Sequence, residues 1–171
     1  LAGKYWLVGG LVLGYVREGK MLEHDMDADF AFWDEDQRSF MEAVDSLIQA
    51  GFKKKYCWVN NQGKATEYTL ERQGYHFEFF VNFKTEDQKS LCWYSYHARK
   101  KLEFQRQIPV HGTTEINFLE RKWLIPGNTD EYLTQNYGDW KKPDPKFDYT
   151  NGKSVPCGIS KEIWRGTNAW R

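Results

Sequence analysis

The chain has 171 residues, of which 40% are hydrophobic, which is enough to bury one sizeable core. We therefore expect a single domain over residues 1–171. Lys and Arg together number 24, as do Asp and Glu, so the net charge is zero. A neutral chain lacks the broad electrostatic attraction behind non-specific nucleic-acid binding, and we expect no nucleic-acid partner.

Cysteine use and hydropathy bear on where the protein works. Cys57, Cys92 and Cys157 form no CxxC element and the histidines lack zinc-ligand spacing, so we expect free thiols in a reducing compartment. The longest apolar stretch, residues 6–16, is too short to span a bilayer. With no signal-peptide pattern visible, we expect a cytoplasmic location, with room for missing sequence before Leu1. Membrane contact is not indicated by this chain, and contact through a partner or through absent segments stays open. The oligomeric state is not encoded in any pattern we recognise.

The first part of the chain predicts alternating strands and helices. Residues 5–8 predict a strand and residues 10–17 a short helix. Residues 28–33 predict a second strand. Acidic residues 34–36 then begin a helix whose apolar positions recur at helical spacing, and Gly51 ends it.

From residue 53 the hydrophobic period changes to two, which is typical of strands. A hairpin is expected around Gln73-Gly74, because glycine there permits a tight turn between two strands. Strands are predicted at residues 56–59, 66–71, 75–81, 91–96 and 102–110.

The C-terminal part carries weaker signals. Residues 115–124 are ambiguous between helix and strand. A helix is expected over about residues 128–136, and Gly138 ends it. The prolines and glycines of residues 141–171 predict a wrapped loop segment with one short helix near Glu162.

Acidic residues alternate at the start of the second predicted strand. Side chains at i and i+2 of a strand share a face, so Asp27 and Asp29 point the same way. Asp25 joins that face if the strand begins early, and otherwise lies in the preceding loop. Such close carboxylates repel each other unless a cation lies between them, which predicts a metal site. A calcium loop of the EF-hand kind is disfavoured, because Phe30 and Asp36 occupy its glycine and glutamate positions.

A third carboxylate lies on the predicted strand 75–81. Glu78 is flanked by Phe77 and Phe79, which is unusual for a solvated strand. Sheet pairing could bring it beside the two aspartates as a further metal ligand. Alternatively, it is an edge-strand charge that discourages aggregation, and the sequence leaves both alternatives open.

Two motifs lie in order at the two ends of residues 7–143. The first joins the glycine-rich run of residues 7–17 to the aspartates of residues 25–29. The second comprises Ile125-Pro126, Glu131-Tyr132-Leu133, Tyr137-Gly138-Asp139-Trp140 and Pro143. Together they resemble the signature of the LicD family, which includes the fukutin-related proteins.

This resemblance implies an α+β nucleotidyltransferase fold of the polymerase-β-like kind, with a mixed central sheet flanked by helices. It also implies transfer of a phospho-alcohol, such as phosphocholine or ribitol phosphate, from a CDP-activated donor to a glycan, as in cell-surface polysaccharide biosynthesis. Residues 53–120 match only loosely. Glu78 stands where the family usually has aspartate, and His24 and Met26 replace a frequent tryptophan and an extra aspartate.

The acidic side chains are the candidate catalytic groups. Asp27, Asp29 and Glu78 are expected to hold one or two Mg²⁺ ions, with Mn²⁺ as an alternative, because hard cations prefer carboxylate oxygens. Asp25 is a further candidate ligand. Phosphoryl or nucleotidyl transfer needs such a metal to neutralise charge on the diphosphate. Glu78 could instead serve as general base for the acceptor hydroxyl.

Other residues are expected around the donor and the acceptor. Gly9 and Gly10 would let backbone N–H groups at a helix start approach the diphosphate. Arg17 is a candidate phosphate contact or, alternatively, part of a structural ion pair. Tyr132, Tyr137 and Trp140 could form a wall that stacks on the acceptor sugar, although the spacing of Tyr132, Leu133 and Tyr137 on a short helix is more often typical of core packing.

Three functions of different classes fit these observations. The first is transfer of a phospho-alcohol from a CDP donor to a sugar hydroxyl, with release of CMP. The second is a nucleotidylyltransferase that transfers NMP from an NTP to a small molecule or sugar and releases pyrophosphate. The third is a non-catalytic domain that binds a glycan or a protein. An unpaired acidic cluster is costly without a metal, which argues against the third.

Overall fold

The secondary structure of the chain follows from a computed structural model, which describes residues 4–60, 63–97, 102–109, 112–147 and 156–160. No helix in these ranges has the length and apolar character needed to cross a membrane. The predicted short helix near Glu162 lies outside them. The elements are β1 (Tyr5–Leu7), α1 (Gly9–Glu18), β2 (Asp27–Trp33), a 3₁₀ turn (Asp34–Asp36), α2 (Gln37–Gln49), β3 (Lys53–Val59), β4 (Ala65–Arg72), β5 (Tyr75–Lys84), β6 (Ser90–His97), β7 (Leu102–Pro109), β8 (Thr113–Phe118), β9 (Arg121–Pro126), α3 (Thr129–Tyr137) and β10 (Pro156–Ser160).

The main sheet is mixed. Its strands follow the order β1-β2-β5-β6-β7-β10, while β4 pairs with β5 and β3 pairs with β4. The pair β2-β5 is parallel, and the other pairs among the described strands are antiparallel. This sheet and its helices confirm the expected α+β class.

The ambiguous stretch 115–124 is a hairpin formed by β8 and β9. Its turn residues Leu119 and Glu120 have φ angles of 50° and 60°. Positive φ at both central residues is the geometry of a primed two-residue turn, which Asn-Gly or Asp-Gly usually signals. Neither residue carries that signal, and for this reason the sequence pattern was undecided.

The prediction of a loop over residues 141–171 is wrong at Pro156–Ser160. These residues form β10, which pairs antiparallel with β7. Proline and glycine give this short stretch little intrinsic preference for a strand. The strand arises because β7 offers backbone partners, which is a tertiary contact that the local sequence does not reveal.

Strands β2, β4 and β5 bury one face against α2. Phe40 of α2 is fully buried, and its ring stacks on Phe32 of β2 with 4.7 Å between centroids. It also lies 4.9 Å from the ring of Tyr68 on β4 and 5.0 Å from that of Phe79 on β5. Because side chains alternate along a strand, the intervening residues of these strands lie on the opposite face. That second face holds the candidate site.

Gly14 lets the chain pass closely over α1 on its way to the aspartates. A Cβ atom at Gly14 would lie 2.5 Å from the carbonyl oxygen of Lys20 and 3.2 Å from the backbone nitrogen of Leu22. Both neighbours are backbone atoms, so they cannot move aside as a flexible side chain would. This position therefore needs glycine although it lies inside a helix.

We expect Gly14→Ala to destabilise the protein by about 1–3 kcal/mol, the usual cost of overpacking. Alanine normally stabilises a helix interior by about 1 kcal/mol over glycine, so the sign of the change is diagnostic. Thermal unfolding measures it, with Ser46→Ala on the exposed side of α2 as the control. A higher melting temperature for Gly14→Ala would contradict the close contact.

Candidate active site

Parallel pairing of β2 with β5 brings three carboxylates together. Asp29 on β2 lies beside Glu78 on β5, and Asp27 shares their face two residues away. Oxygens of the three carboxylates lie within 4.8 Å of one another. Since β5 pairs with both β2 and β4 through this region, Glu78 does not lie on an edge strand. The structure therefore favours the cluster over the edge-charge alternative.

Asp25 reaches the same cavity from the loop before β2. Its backbone N–H donates a 3.1 Å hydrogen bond to the carbonyl oxygen of Leu22, and β2 begins two residues later. Burial, followed by a hydrogen bond and repulsion from Asp27, raises the pKa of Asp25 to about 7. Of the two alternatives for Asp25, the loop position is correct, and the loop still delivers its carboxyl group to the cluster.

Burial makes this group of carboxylates electrostatically costly. Burial, and then the charge of Asp27, raises the pKa of Glu78 to about 7. Burial, and then the charges of Glu78 and Asp27, raises the pKa of Asp29 well above its usual value. Without a counter-charge, such groups oppose folding when they are ionised. A donor set made of carboxylates suits a hard divalent cation such as Mg²⁺ or Mn²⁺.

The two glycines that begin α1 lie directly against the carboxylates. Gly9 has a φ of 59°, and a Cβ atom there would overlap the Asp29 carboxylate. A Cβ atom at Gly10 would overlap the carboxylate of Asp25. Gly9 needs glycine for its left-handed backbone conformation, and glycine at Gly10 lets the start of α1 approach the cluster without displacing the Asp25 carboxylate. The expected contact of this turn with a diphosphate stays a prediction.

Helix α3 places two tyrosines at the same cavity. The hydroxyl of Tyr132 accepts a 2.8 Å hydrogen bond from the backbone N–H of Gly9. Tyr137, a predicted acceptor contact, also lines the cavity. Burial raises the pKa of Tyr132 and that of Tyr137. Both phenols therefore keep their protons at neutral pH and remain hydrogen-bond donors.

A neighbouring cleft contains the predicted residues that the main cavity lacks. Arg17 and Trp140 line this cleft. Arg17 Nη2 lies 2.8 Å from Glu18 Oε1, an ion pair that matches its structural alternative. Trp140 is buried, and Lys141 Nζ lies 5.2 Å from its ring centroid. The phosphate role of Arg17 and the acceptor role of Trp140 stay predictions.

The main cavity combines the acidic cluster with aromatic surface. Its volume is about 580 Å³, within the range of small-molecule sites. In the cavity wall, the ring centroids of Trp6 and Trp33 lie 5.2 Å apart, and the ring of Tyr56 stacks on that of Trp58 with 6.1 Å between centroids. Flat apolar rings beside carboxylates can hold a nucleobase or a sugar ring while the charged end is fixed. With a divalent cation bound at the carboxylates, the cavity would suit a ligand with one ring and one anionic group.

A buried glutamate on β4 was not among the expected site residues. Glu67 is 6% exposed and lines the cavity, and Thr69 Oγ1 donates a 3.3 Å hydrogen bond to its carboxylate. Burial, and then the charge of Glu78, raises the pKa of Glu67 well above its usual value. The available signal was alternation, because Tyr68 and Leu70 face the core and leave Glu67 on the other side. Alternation alone does not show that Glu67 is buried, because it does not reveal that both faces of β4 are covered.

A buried arginine on β7 was also missed. Arg106 is 5% exposed and lines the main cavity. Within the described ranges, the cavity wall contains no other lysine, arginine or histidine side chain. The sequence carries a weak signal that Arg106 is buried. Residues two apart on a strand share a face, so Arg106 lies on the same face as Ile108, an apolar residue that also lines the cavity.

The chain is similar to curated proteins over most of its length. It is 25% identical over 163 residues to human ribitol-5-phosphate transferase FKTN, which covers 94% of this chain and 34% of that protein. The proteins of the same name from Mus musculus and Macaca fascicularis are 25% and 22% identical, with the same coverage. The chain therefore spans about a third of the length of the curated relatives it matches.

A solved structure and a family model also match. The crystal structure of the lincosamide antibiotic adenylyltransferase LnuA with lincomycin bound aligns with a TM-score of 0.48 and 18% identity, covering 79% of this chain and 77% of that chain. The model of the LicD/FKTN/FKRP nucleotidyltransferase domain matches residues 3–128, which include the glycine turn, the aspartates and Glu78. The match to the family model covers most of the chain and includes the first of the two motifs found in the sequence. The chain therefore belongs to the LicD/FKTN/FKRP family of nucleotidyltransferase domains.

Proposed function

We propose that the cavity is the active site of a metal-dependent transferase that moves a phospho-alcohol from a CDP-activated donor to a sugar hydroxyl on a glycan. The observation that carries this proposal is the convergence of Asp27, Asp29 and Glu78, whose oxygens lie within 4.8 Å of one another in a cavity of about 580 Å³. Family membership and the similarity to proteins named ribitol-5-phosphate transferase support transfer chemistry of this kind.

The residues present fit a divalent metal ion. Asp27, Asp29 and Glu78 would hold it, and Asp25, which hydrogen-bonds with Asp27, is the further candidate ligand. All four offer carboxylate oxygens, the donors that Mg²⁺ and Mn²⁺ prefer. A bound ion would neutralise charge on the diphosphate and lower the pKa of the attacking hydroxyl.

The chain's own residues would position the reactants and take up the proton. The acceptor oxygen forms a bond to the phosphorus next to the alcohol, the bond from that phosphorus to the bridging oxygen breaks, and CMP leaves. If Glu78 is a metal ligand, Glu67 on the neighbouring strand β4 is the carboxylate left to accept the hydroxyl proton. The aromatic wall around Trp6 and Trp58 would exclude water that competes with the acceptor.

A second candidate is a nucleotidylyltransferase, which attacks the α-phosphorus of an NTP and releases pyrophosphate. The description of the matched family domain as a nucleotidyltransferase favours it. The same acidic cluster serves both reactions, because each needs metal-assisted attack at a phosphorus in a diphosphate or triphosphate chain. The two reactions differ in their products, and this difference separates them.

Asp27→Asn tests the cluster through stability. Loss of one charge relieves repulsion on Asp25, Asp29 and Glu78, so the melting temperature in EDTA at pH 8 should rise. For a chain of this size about 1 kcal/mol corresponds to roughly 2–4 °C. Mg²⁺ at 100 times its Kd should stabilise the wild type by about 2.7 kcal/mol, and the variant far less. Differential scanning fluorimetry with and without Mg²⁺ measures both effects.

Asp45→Asn is the matched control for that experiment, because Asp45 lies on the exposed side of α2. It should change neither the metal-free melting temperature nor the Mg²⁺ response. An Asp27→Asn protein that keeps the full Mg²⁺ response would contradict the proposed metal site.

The products of turnover test the reaction class. We expect the wild type with Mg²⁺ to bind one of CDP-choline, CDP-ribitol and CDP-glycerol in isothermal titration, and to release CMP when an acceptor glycan is added. Asp27→Asn should reduce turnover by at least about 10³-fold, since it removes a ligand of the group that neutralises the diphosphate. Anion-exchange chromatography of the reaction mixture shows whether CMP or pyrophosphate is released.

Binding of CTP or ATP with release of pyrophosphate would select the second candidate. Absence of Mg²⁺-dependent binding to every nucleotide in this panel would overturn both reactions and favour a non-catalytic glycan-binding domain.

A further inference from the structure

Arg106 occupies an unusual place for a cation. It lies on β7, which pairs with β6 and β10, whereas the carboxylates of the cavity come from β2, β4, β5 and the loop before β2. Its side chain is 5% exposed although guanidinium stays charged in proteins, and burying a charge is costly unless the charge is paired. A separate part of the sheet thus contributes one buried positive charge to a predominantly acidic cavity.

The surroundings of Arg106 connect it to the acidic cluster. Its charge acts on the hydroxyls of Tyr132 and Tyr137, lowering the pKa of each against the larger effect of burial. The charge of Asp29 acts on the same two hydroxyls in the opposite direction. The two phenols therefore lie within electrostatic range of both Arg106 and Asp29, and all four side chains line one cavity.

The ligand in the proposed function has a matching distribution of charge. A nucleoside diphosphate carries two phosphate groups, and a metal bound at Asp27, Asp29 and Glu78 would neutralise only part of their charge. Five carboxylates line the cavity, so an additional dianion meets net repulsion unless a protein cation receives it. Arginine suits this task because its planar fork donates two parallel hydrogen bonds to phosphate oxygens, and neighbouring phenols can donate others.

We propose that Arg106 is a donor-binding residue that holds a phosphate group of the nucleoside diphosphate from β7, while the acidic cluster and its metal hold the same diphosphate from β2 and β5. This inference rests on the proposed function, since it takes the nucleoside diphosphate as the ligand. It identifies a cation for the phosphate other than Arg17, which lies in the neighbouring cleft.

The test compares Arg106→Met with wild type by isothermal titration of CDP in the presence of Mg²⁺. Methionine keeps apolar volume and removes the charge and the fork. We expect CDP affinity to fall about ten- to hundredfold, the range for loss of charge-assisted hydrogen bonds. Cytidine, which has no phosphate, should bind both proteins equally in a competition assay. Mn²⁺ affinity, measured by electron paramagnetic resonance, should be unchanged or increased, because a nearby positive charge has been removed.

Two further variants complete the design. Arg106→Lys keeps the charge without the fork, and we expect at least about a threefold loss of CDP affinity with Mn²⁺ binding intact. If Arg106→Met does not fold, this variant decides the question. Arg72→Lys is the control, because Arg72 is exposed on β4 and its guanidinium lies 5.3 Å from the ring of Phe52, outside the cavity. It should bind CDP like the wild type.

The outcomes distinguish failure of the proposed role of Arg106 from failure of the proposed function. If the wild type binds CDP with Mg²⁺ and both Arg106 variants bind it equally well, the role of Arg106 is overturned while the proposed function stands. If the variants lose Mn²⁺ and cytidine binding together with CDP binding, Arg106 is structural and the inference also fails. If the wild type binds neither CDP nor any CDP-alcohol with Mg²⁺, the proposed function fails and the inference fails with it.

Discussion

The parallel register between β2 and β5 is the constraint on which the candidate site depends. It places Asp29 beside Glu78 on one face and Phe30 beside Phe79 on the other. A slip of one residue would put a carboxylate against α2 and a phenylalanine into the cavity. The stacked rings of Phe30 and Phe79, 5.0 Å apart, and the contacts of both strands with Phe40 oppose such a slip. The aromatic core therefore holds the acidic cluster in register.

The two faces of these strands make opposite contributions to stability. On the α2 side, burial of aromatic side chains favours folding in proportion to the apolar area removed from water. On the cavity side, carboxylates are brought together where burial raises the pKa of Asp25, Asp29, Glu67 and Glu78. Functional sites commonly retain groups that oppose folding, and the surrounding structure offsets them. In this protein the offset comes from the opposite side of the same strands.

The cavity is completed by elements that are distant in sequence. Gly9 and Tyr132 are 123 residues apart, and their hydrogen bond joins the start of α1 to α3 at the edge of the cluster. Asp25 enters from a loop, and Arg106 enters from β7. Because each element contributes one or two groups, the site combines metal-binding carboxylates, phenol donors and a cation that β2 and β5 alone do not supply.

The sequence by itself determined the features that have a local signature. Strict alternation placed Asp27 and Asp29 on one face, Gly9-Gly10 marked the turn into α1, and the order of two motifs indicated the family. Glu78 was singled out by its phenylalanine neighbours, but its alternatives stayed open. Only the tertiary structure decided that Glu78 lies beside Asp29.

The tertiary structure also brought Glu67 and Arg106 into the cavity, separated Arg17 from it, and made Pro156–Ser160 a strand on β7. The physical reason is that alternation along a strand defines two faces without saying what covers each of them. The covering element, the neighbouring strand and the register depend on contacts between residues far apart in the chain, and these are fixed only when the whole core packs.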